Sequence, residues 1–225
     1  MVGRRDYSHI GFLVLALAVI VVLMIQIRKN IYLIHGEKQN LPQGSRVGII
    51  DSTYWNYIQY FSVIRPDSAW EMKSYGEIDS LPSEDITKLI LNNVTPLLKL
   101  TKADEHHKIG SIEVGVINCV KNRTPKNMAI QILGETIREY EQAGERVGLL
   151  TPTTAPVHSS GQGAYFVVIL PKSAAEELPV WVVTVLVRRN WTFIIVSKTT
   201  EANYSQLRTD FENMIKNFRF LMIPE

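Results

Sequence analysis

The hydrophobic positions divide the chain into three stretches with different patterns. An uninterrupted apolar run occupies residues 10–27, "IGFLVLALAVIVVLMIQI", and Gln26 is its one polar side chain. A charged stretch containing Gly36, Pro42 and Gly44 follows. From Asp51 onward, alternating and helically spaced apolar positions are typical of a globular domain. The predicted organisation is an N-terminal tail (1–9), a transmembrane helix (10–27), a membrane-proximal stalk (28–50) and a globular domain (51–225).

The apolar run is long enough to cross a bilayer. As a helix it measures about 27 Å at about 1.5 Å per residue, close to the hydrocarbon thickness of about 30 Å. Basic pairs flank it, at residues 4–5 and 28–29, so the charge difference across it is small. A short tail before the helix and a large polar domain after it are typical of a signal anchor. We therefore predict a single-pass protein of the cell membrane with its N-terminus in the cytoplasm and residues 28–225 extracytoplasmic.

Several stretches of the domain show the alternation or continuous apolar character of strands. Two are separated only by "RRN", which predicts a tight antiparallel hairpin. Another two are joined by the polar stretch "KADEHHK". The predicted strand segments are "YWNYIQYFSVIRP", "PLLKLTKAD", "IGSIEVGVINCV", "AYFVVIL", "PVWVVTVLV" and "WTFIIVSK".

Three stretches of the domain predict helices. In the first, Ser83 is placed as an N-cap before helically spaced apolar residues. In the second, Thr124 caps the helix, Pro125 suits its first turn and Gly144 ends it. The second helix has a predicted apolar stripe of Ile130, Leu133, Ile137 and Tyr140. The last has a predicted buried face of Tyr204, Leu207, Phe211, Met214, Ile215 and Phe218. Together with the strands, these helices predict an α+β fold, an antiparallel β-sheet flanked by helices.

The last third of the chain resembles the PsbP-like superfamily, which includes the photosystem II extrinsic PsbP proteins and the bacterial envelope protein DcrB. The resemblance lies in a strand (Trp191 to Ser197), a helix (Tyr204 to Ile215) and the aromatic tail "NFRF" (Asn217 to Phe220). Upstream, "FSVIRPDSAW" (Phe61 to Trp70) is similar to the opening strand and turn of that superfamily. The resemblance implies a PsbP-like α/β/α sandwich and a non-enzymatic role in assembling or stabilising a complex, commonly at a membrane.

Five aromatic residues of these segments are expected to be structural. The tail "FRF" is predicted to lock the last helix against the edge of the sheet, since burying a Phe contributes about 1.5–3 kcal/mol. Four tryptophans could line an apolar groove, but packing in the core is the commoner role for such residues. The predicted structural residues are Trp70, Trp191, Phe211, Phe218 and Phe220.

Composition and motifs restrict the chemistry. A net charge of +2 without a basic stripe argues against nucleic acid as a partner. The single cysteine, Cys119, excludes an internal disulfide and favours a buried thiol in a strand. "DEHH" (Asp104 to His107) is a metal site or a solvated turn, and adjacent strand residues point in opposite directions, which favours the turn. "SSGQG" (Ser159 to Gly163) indicates a loop, and no phosphate-binding glycine motif is present.

These observations predict a membrane-anchored, extracytoplasmic accessory protein that binds or stabilises a membrane protein complex. No catalytic residue, metal ligand or cofactor site is predicted, and the expected partners are the lipid bilayer and that complex. The alternative is a small-ligand-binding or sensory domain, with a pocket around the loop "TPTTAPVHSSGQG" (151–163). An enzyme is a third possibility, but no catalytic motif in the sequence supports it.

Overall fold

A computed structural model describes seven parts of the chain, all within one compact unit from Ser45 to Leu221. They are residues 46–75, 94–105, 107–118, 124–150, 163–171, 177–188 and 190–221. The predicted transmembrane helix, most of the stalk, the predicted helix after Ser83, Cys119 and most of the 151–163 loop lie outside these residues. Within the described residues, no helix has both the length and the apolar character needed to span a bilayer.

The described elements are eleven strands and two helices. In chain order, the strands are β1 (Val47–Ile50), β2 (Thr53–Asn56), β3 (Phe61–Ile64), β4 (Trp70–Ser74), β5 (Thr95–Asp104), β6 (His107–Asn118), β7 (Gly148–Leu150), β8 (Gly163–Ile169), β9 (Val180–Arg188), β10 (Trp191–Thr199) and β11 (Phe218–Phe220). The helices are α1 (Pro125–Gln142) and α2 (Glu201–Asn217). The fold is therefore α+β. Its first strand lies in residues that the sequence pattern had assigned to the stalk.

Seven strands form the larger sheet, in the order β4-β5-β6-β10-β9-β8-β7. Every neighbouring pair is antiparallel. Two predicted hairpins are confirmed: Asp104 pairs with His107 between β5 and β6, and Arg188 pairs with Trp191 between β9 and β10. Asp104 and His107 of "DEHH" are thus the closing pair of a hairpin, in which Glu105 adopts a positive φ of 47°.

A second sheet was not expected from the sequence. β1, β2, β3 and β11 form it, and all of its pairings are antiparallel. The stretch "YWNYIQYFSVIRP" is accordingly two strands rather than one. The side chain of Asn56 forces the turn, because its Oδ1 accepts hydrogen bonds from the N–H groups of Ile58 (3.0 Å) and Gln59 (2.9 Å). Tyr60 completes the turn with φ at 56°.

The larger sheet is buried on both faces, so its central strands are almost continuously apolar. On β10, Phe193 and Ile195 belong to one core, while Ile194 and Val196 belong to the other. α2 and the four-stranded sheet contribute to the first core, and α1 to the second. The approach of α2 to β6 is close, since a Cβ on Gly110 would lie 2.8 Å from Cδ1 of Leu207.

Both ends of α1 follow the prediction. Oγ1 of Thr124 accepts a hydrogen bond from the N–H of Asn127 (3.2 Å). Gly144 has φ at 79°, and its N–H donates to the carbonyl of Glu141 (3.0 Å). The N–H of Glu145 donates to the carbonyl of Tyr140 (2.9 Å), which completes a Schellman motif.

The predicted apolar stripe of α1 was partly wrong. Ile130 is 59% exposed, whereas Leu133 and Tyr140 pack against the core. The residues of α1 that face the sheet follow an i, i+4 spacing. Ile130 lies on the opposite side of the helix. Its buried residues are Met128, Ala129, Ile132 and Thr136.

The buried face of α2 agrees with the prediction. Thr200 caps the helix, because its Oγ1 accepts from the N–H of Asn203 (3.2 Å). The buried residues are Leu207, Phe211, Met214 and Ile215, and Tyr204 packs at the margin of the core. Phe218 is buried too, but it has left the helix and begins β11.

Candidate functional site

The tail "FRF" ends inside an aromatic cluster between the two sheets. Phe218 stacks on Phe61 of β3, with ring centroids 4.9 Å apart and planes 5° apart. Phe193 of β10 meets both rings edge-on, at 5.0 and 5.3 Å. Phe220 contacts Phe193 and Phe218 at 5.6 and 5.4 Å. Because β11 also pairs with β3, the tail connects α2 to the four-stranded sheet.

Trp70 lies at the centre of a polar network that connects three elements. Its indole N–H donates to Oδ2 of Asp210 on α2 at 3.0 Å. Nζ of Lys102 on β5 contacts the same oxygen at 2.8 Å and Oδ2 of Asp67 at 3.2 Å. Oδ1 of Asp67 accepts from the N–H of Ala69, which holds the turn before β4. The network fastens α2 to the β4–β5 edge of the larger sheet.

Opposing effects set the pKa values of this network. Burial alone would raise the pKa of Asp67, but hydrogen bonds from the backbone of Ala69 and from Lys102 bring it below its usual value. Burial alone would lower the pKa of Lys102, yet the hydrogen bonds to Asp210 and Asp67 raise it above its usual value. Each group is therefore held in its charged form by its partners.

A row of buried polar side chains crosses the α1 face of the larger sheet. The pairing registers place Thr101, Ser111, Lys198 and Trp181 side by side on β5, β6, β10 and β9. Lys198 is only 2% exposed, and its Nζ lies 4.0 Å from the centroid of a Trp181 ring. A cation over an aromatic face is stabilised by the ring quadrupole.

Glu113 extends this polar row to the next cross-strand position. It is fully buried, and Oε1 lies 3.1 Å from Nζ of Lys99. The hydroxyl of Ser111, also fully buried, has no hydrogen-bond partner among the residues that the structure describes. Buried polar groups are normally paired, so Ser111 identifies this row as the candidate ligand site of the described residues. We refer to Lys99, Ser111, Glu113, Lys198 and Trp181 as the buried polar row.

A second polar patch lies where α2 faces β8. Burial is the main cause that raises the pKa values of Tyr165 and Tyr204. Arg208 opposes the rise at both tyrosines, and Glu212 adds to it. Nε of Arg208 and Oε1 of Glu212 are 3.0 Å apart, as an i, i+4 pair along the helix. This pair is partly solvated, so it contributes little to stability.

The five aromatic residues predicted to be structural lie in or beside one core, whereas the other two tryptophans lie elsewhere. Trp70 and Phe218 are fully buried, Phe211 is 3% exposed, and Trp191 and Phe220 pack at the margin of the same core. Their role as structural residues stays a prediction. Trp181 belongs to the other core, and Trp55 stacks on Tyr57. The tryptophans therefore do not line one groove. Among the described residues, no group of three or more His, Cys, Asp or Glu could hold a metal ion.

The buried polar row was missed by sequence reasoning. Lys198 sits in "FIIVSKTT" and Glu113 in "SIEVGVIN", each within an otherwise apolar strand. A charge at such a position is a usable signal, because strands buried on both faces seldom carry one. Its partners could not be identified from the sequence, since they come from neighbouring strands.

Comparisons with known proteins gave structural likeness only. No family model matches the chain, and no curated protein does. The solution structure of cyanobacterial PsbP (CyanoP) from Synechocystis sp. PCC 6803 is similar, with a TM-score of 0.49 and 12% identity over 80% of this chain and 99% of that one. A crystal structure from Bacteroides thetaiotaomicron VPI-5482 has a TM-score of 0.38 and 11% identity, over 74% of this chain and 47% of the other. Likeness at this level does not extend to activity or partners.

Proposed function

We propose that the protein is a membrane-anchored, extracytoplasmic and non-enzymatic accessory protein that binds a membrane protein complex. The apolar run at residues 10–27 supports the anchor, and the PsbP-like pattern of the last third supports an accessory role.

One structural observation carries the binding part of the proposal. Among the described residues, β7 is an outer strand of the larger sheet, and all three of its residues are exposed. Leu149 is 56% and Leu150 39% exposed. Proteins commonly protect edge strands with charges or prolines, and an apolar edge without them is a surface to which a partner strand adds. The partner would supply an extended segment with apolar side chains.

Anchoring strengthens such a contact. A tethered domain meets a membrane-embedded partner at a high effective concentration, so a small interface is sufficient for occupancy. This suits a three-residue edge, which alone offers little area.

The test is purification of the full-length protein from its native membrane in mild detergent, followed by size-exclusion chromatography and mass spectrometry. A near-stoichiometric companion is expected for the wild type and for Ile130→Lys, which charges an exposed isoleucine on α1. Leu149→Lys, on the β7 edge, should lose the companion while keeping the unfolding midpoint of the wild type. A protein that elutes alone, or a Leu149→Lys variant that keeps its companion, contradicts the proposal or its assignment to β7, respectively.

A second candidate is a small-ligand-binding domain, and the buried Ser111 hydroxyl favours it. A screen of small carboxylic and hydroxy acids by thermal shift would detect it. A shift that Ser111→Ala removes supports this candidate, and no shift with any compound argues against it.

A further inference from the structure

The turn between β2 and β3 exposes an apolar tip. Ile58 is 48% exposed, and it is flanked by the half-buried Tyr57 and Tyr60. The ring of Tyr57 stacks on that of Trp55, with centroids 6.1 Å apart and planes 10° apart. We call residues 55–60 the aromatic tip. Trp and Tyr at a surface with an exposed aliphatic residue are the side chains enriched where proteins meet the lipid headgroup region.

The aromatic tip is held in place by hydrogen bonds. Asn56 is buried and its Oδ1 accepts from two N–H groups of the turn. The carbonyl of Tyr60 accepts from the N–H of Leu221 (2.8 Å) and from Nη1 of Arg188 (3.4 Å). A preorganised turn can present Ile58 without the entropic cost of ordering a loop on binding.

Basic side chains surround the aromatic tip. The N–H of Tyr57 donates to the carbonyl of Arg46 (2.8 Å), so the exposed Arg46 lies beside it. The exposed Arg219 shares a cross-strand row with Trp55 through Ser62. Arg188 lies over the ring of Phe220, 4.9 Å from its centroid. Asp51, in the turn between β1 and β2, lies at the opposite end of that strand pair. Two exposed arginines, Arg46 and Arg219, therefore lie on the side of the four-stranded sheet that carries the tip.

The same end receives the chain from the predicted anchor. Arg46 is the first described residue, and the apolar run ends at Ile27. Residues 28–45 can span at most about 60 Å when extended, which leaves the domain within reach of the bilayer.

From the exposed aromatic tip and the exposed Arg46 and Arg219 near it, we propose that residues 55–60 dock into the headgroup region of an anionic phospholipid bilayer. Ile58 and the aromatic rings enter the interface, and Arg46 and Arg219 meet the lipid phosphates. The inference rests on the proposed membrane anchoring and adds a second contact between the protein and the lipid.

The test uses the full-length chain in vesicles, with Cys119→Ser as background and Ile58→Cys carrying an environment-sensitive fluorophore. The matched control is Ile130→Cys, also at an exposed isoleucine, on the helix that packs against the other face of the larger sheet. Vesicles contain phosphatidylcholine alone or with phosphatidylglycerol, with and without a spin-labelled quencher lipid. Unfolding midpoints verify that each variant folds.

The expected result is a blue shift and quenching at position 58 in the anionic vesicles, with neither at position 130. The double variant Arg46→Glu/Arg219→Glu, with the same label, should lose the quenching. Two results would overturn the assignment to anionic lipid. One is equal quenching at position 58 in both kinds of vesicle, and the other is a blue shift at position 58 that occurs only when native membrane proteins are added. If the chain floats with the vesicles after alkaline extraction but position 58 stays unquenched, the docking is wrong and the anchoring stands. If the chain does not float, the anchoring itself fails.

Discussion

The indole N–H of Trp70 and the carboxylate of Asp210 are 3.0 Å apart, although the two residues are separated by most of the domain in sequence. The bond joins the start of β4 to the middle of α2. Lys102 approaches the same carboxylate oxygen at 2.8 Å, so Asp210 serves a neutral donor and a charged one together. This shared acceptor is the point at which the last helix is held to the edge of the larger sheet.

Substitution of Asp210 tests that relationship. Asp210→Ala removes the acceptor of the buried Trp70 and is expected to lower the free energy of unfolding by about 1–3 kcal/mol. Asp210→Asn keeps a carbonyl oxygen for Trp70 while removing the charge, so its loss should be smaller. Chemical denaturation of both variants measures the difference. Equal losses would show that the ion pair, and not the indole hydrogen bond, dominates.

Asp67 predicts a pH dependence of stability. Its folded-state pKa lies below the usual value of 3.8, so it favours folding above the unfolded-state pKa. That contribution is lost as the pH falls through the lower, folded-state pKa. The free energy of unfolding of the wild type should therefore converge on that of Asp67→Asn in acid and exceed it near neutrality. A constant difference across the acid range would argue against the lowered pKa.

Two ion pairs of equal length allow a test of how burial changes the contribution of an ion pair to stability. Lys99 and Glu113 are 3.1 Å apart with a fully buried carboxylate, while Lys73 and Glu71 are 3.1 Å apart with both side chains mostly exposed. Glu113→Gln leaves a cation in a low-dielectric site and should cost about 3–5 kcal/mol. Glu71→Gln should change stability by at most about 0.5 kcal/mol, because water screens the exposed pair. Similar costs for the two, measured by denaturation, would contradict the buried assignment.

Phe218 tests the structural role of the aromatic tail. Phe218→Ala leaves a cavity beside Phe61 and Phe193 and is expected to cost about 3–5 kcal/mol. Arg219→Ala, one residue on and exposed, should stay within about 0.5 kcal/mol of the wild type. Thermal or chemical unfolding of both variants measures these two changes in stability. A loss below about 1 kcal/mol for Phe218→Ala would mean that the cluster closes over the gap.

Gly134 in α1 and Gly144 just after it should respond in opposite directions to substitution by alanine. Gly134 lies in the interior of α1 with open space around it, so Gly134→Ala should stabilise by about 0.5–1 kcal/mol. Gly144 has φ at 79°, which an L side chain adopts with strain, so Gly144→Ala should destabilise by about 1 kcal/mol. Melting temperatures of the pair measure both effects. The same sign for both would contradict the Schellman geometry.

Local patterns in the sequence determined the two described helices and two of the hairpins, β5–β6 and β9–β10. Thr124 and Gly144 mark the ends of α1 because capping depends on residues within one turn of each other. The turn "RRN" and the apolar runs on either side of it determined the β9–β10 pair for the same reason. The buried face of α2 followed from its helical spacing.

Tertiary structure alone decided which elements meet. The apolar spacing of α1 allowed more than one face, and packing against β8 and β9 turned Ile130 to solvent. The split into two sheets depended on the bonds of Asn56 and on pairing between β3 and β11, which are far apart in sequence. The contacts of Lys198 with Trp181 and of Asp210 with Trp70 depend on the order of the strands and on the docking of α2. A single sequence records the periodicity of each segment, whereas its partner is selected by the free energy of packing across the whole domain.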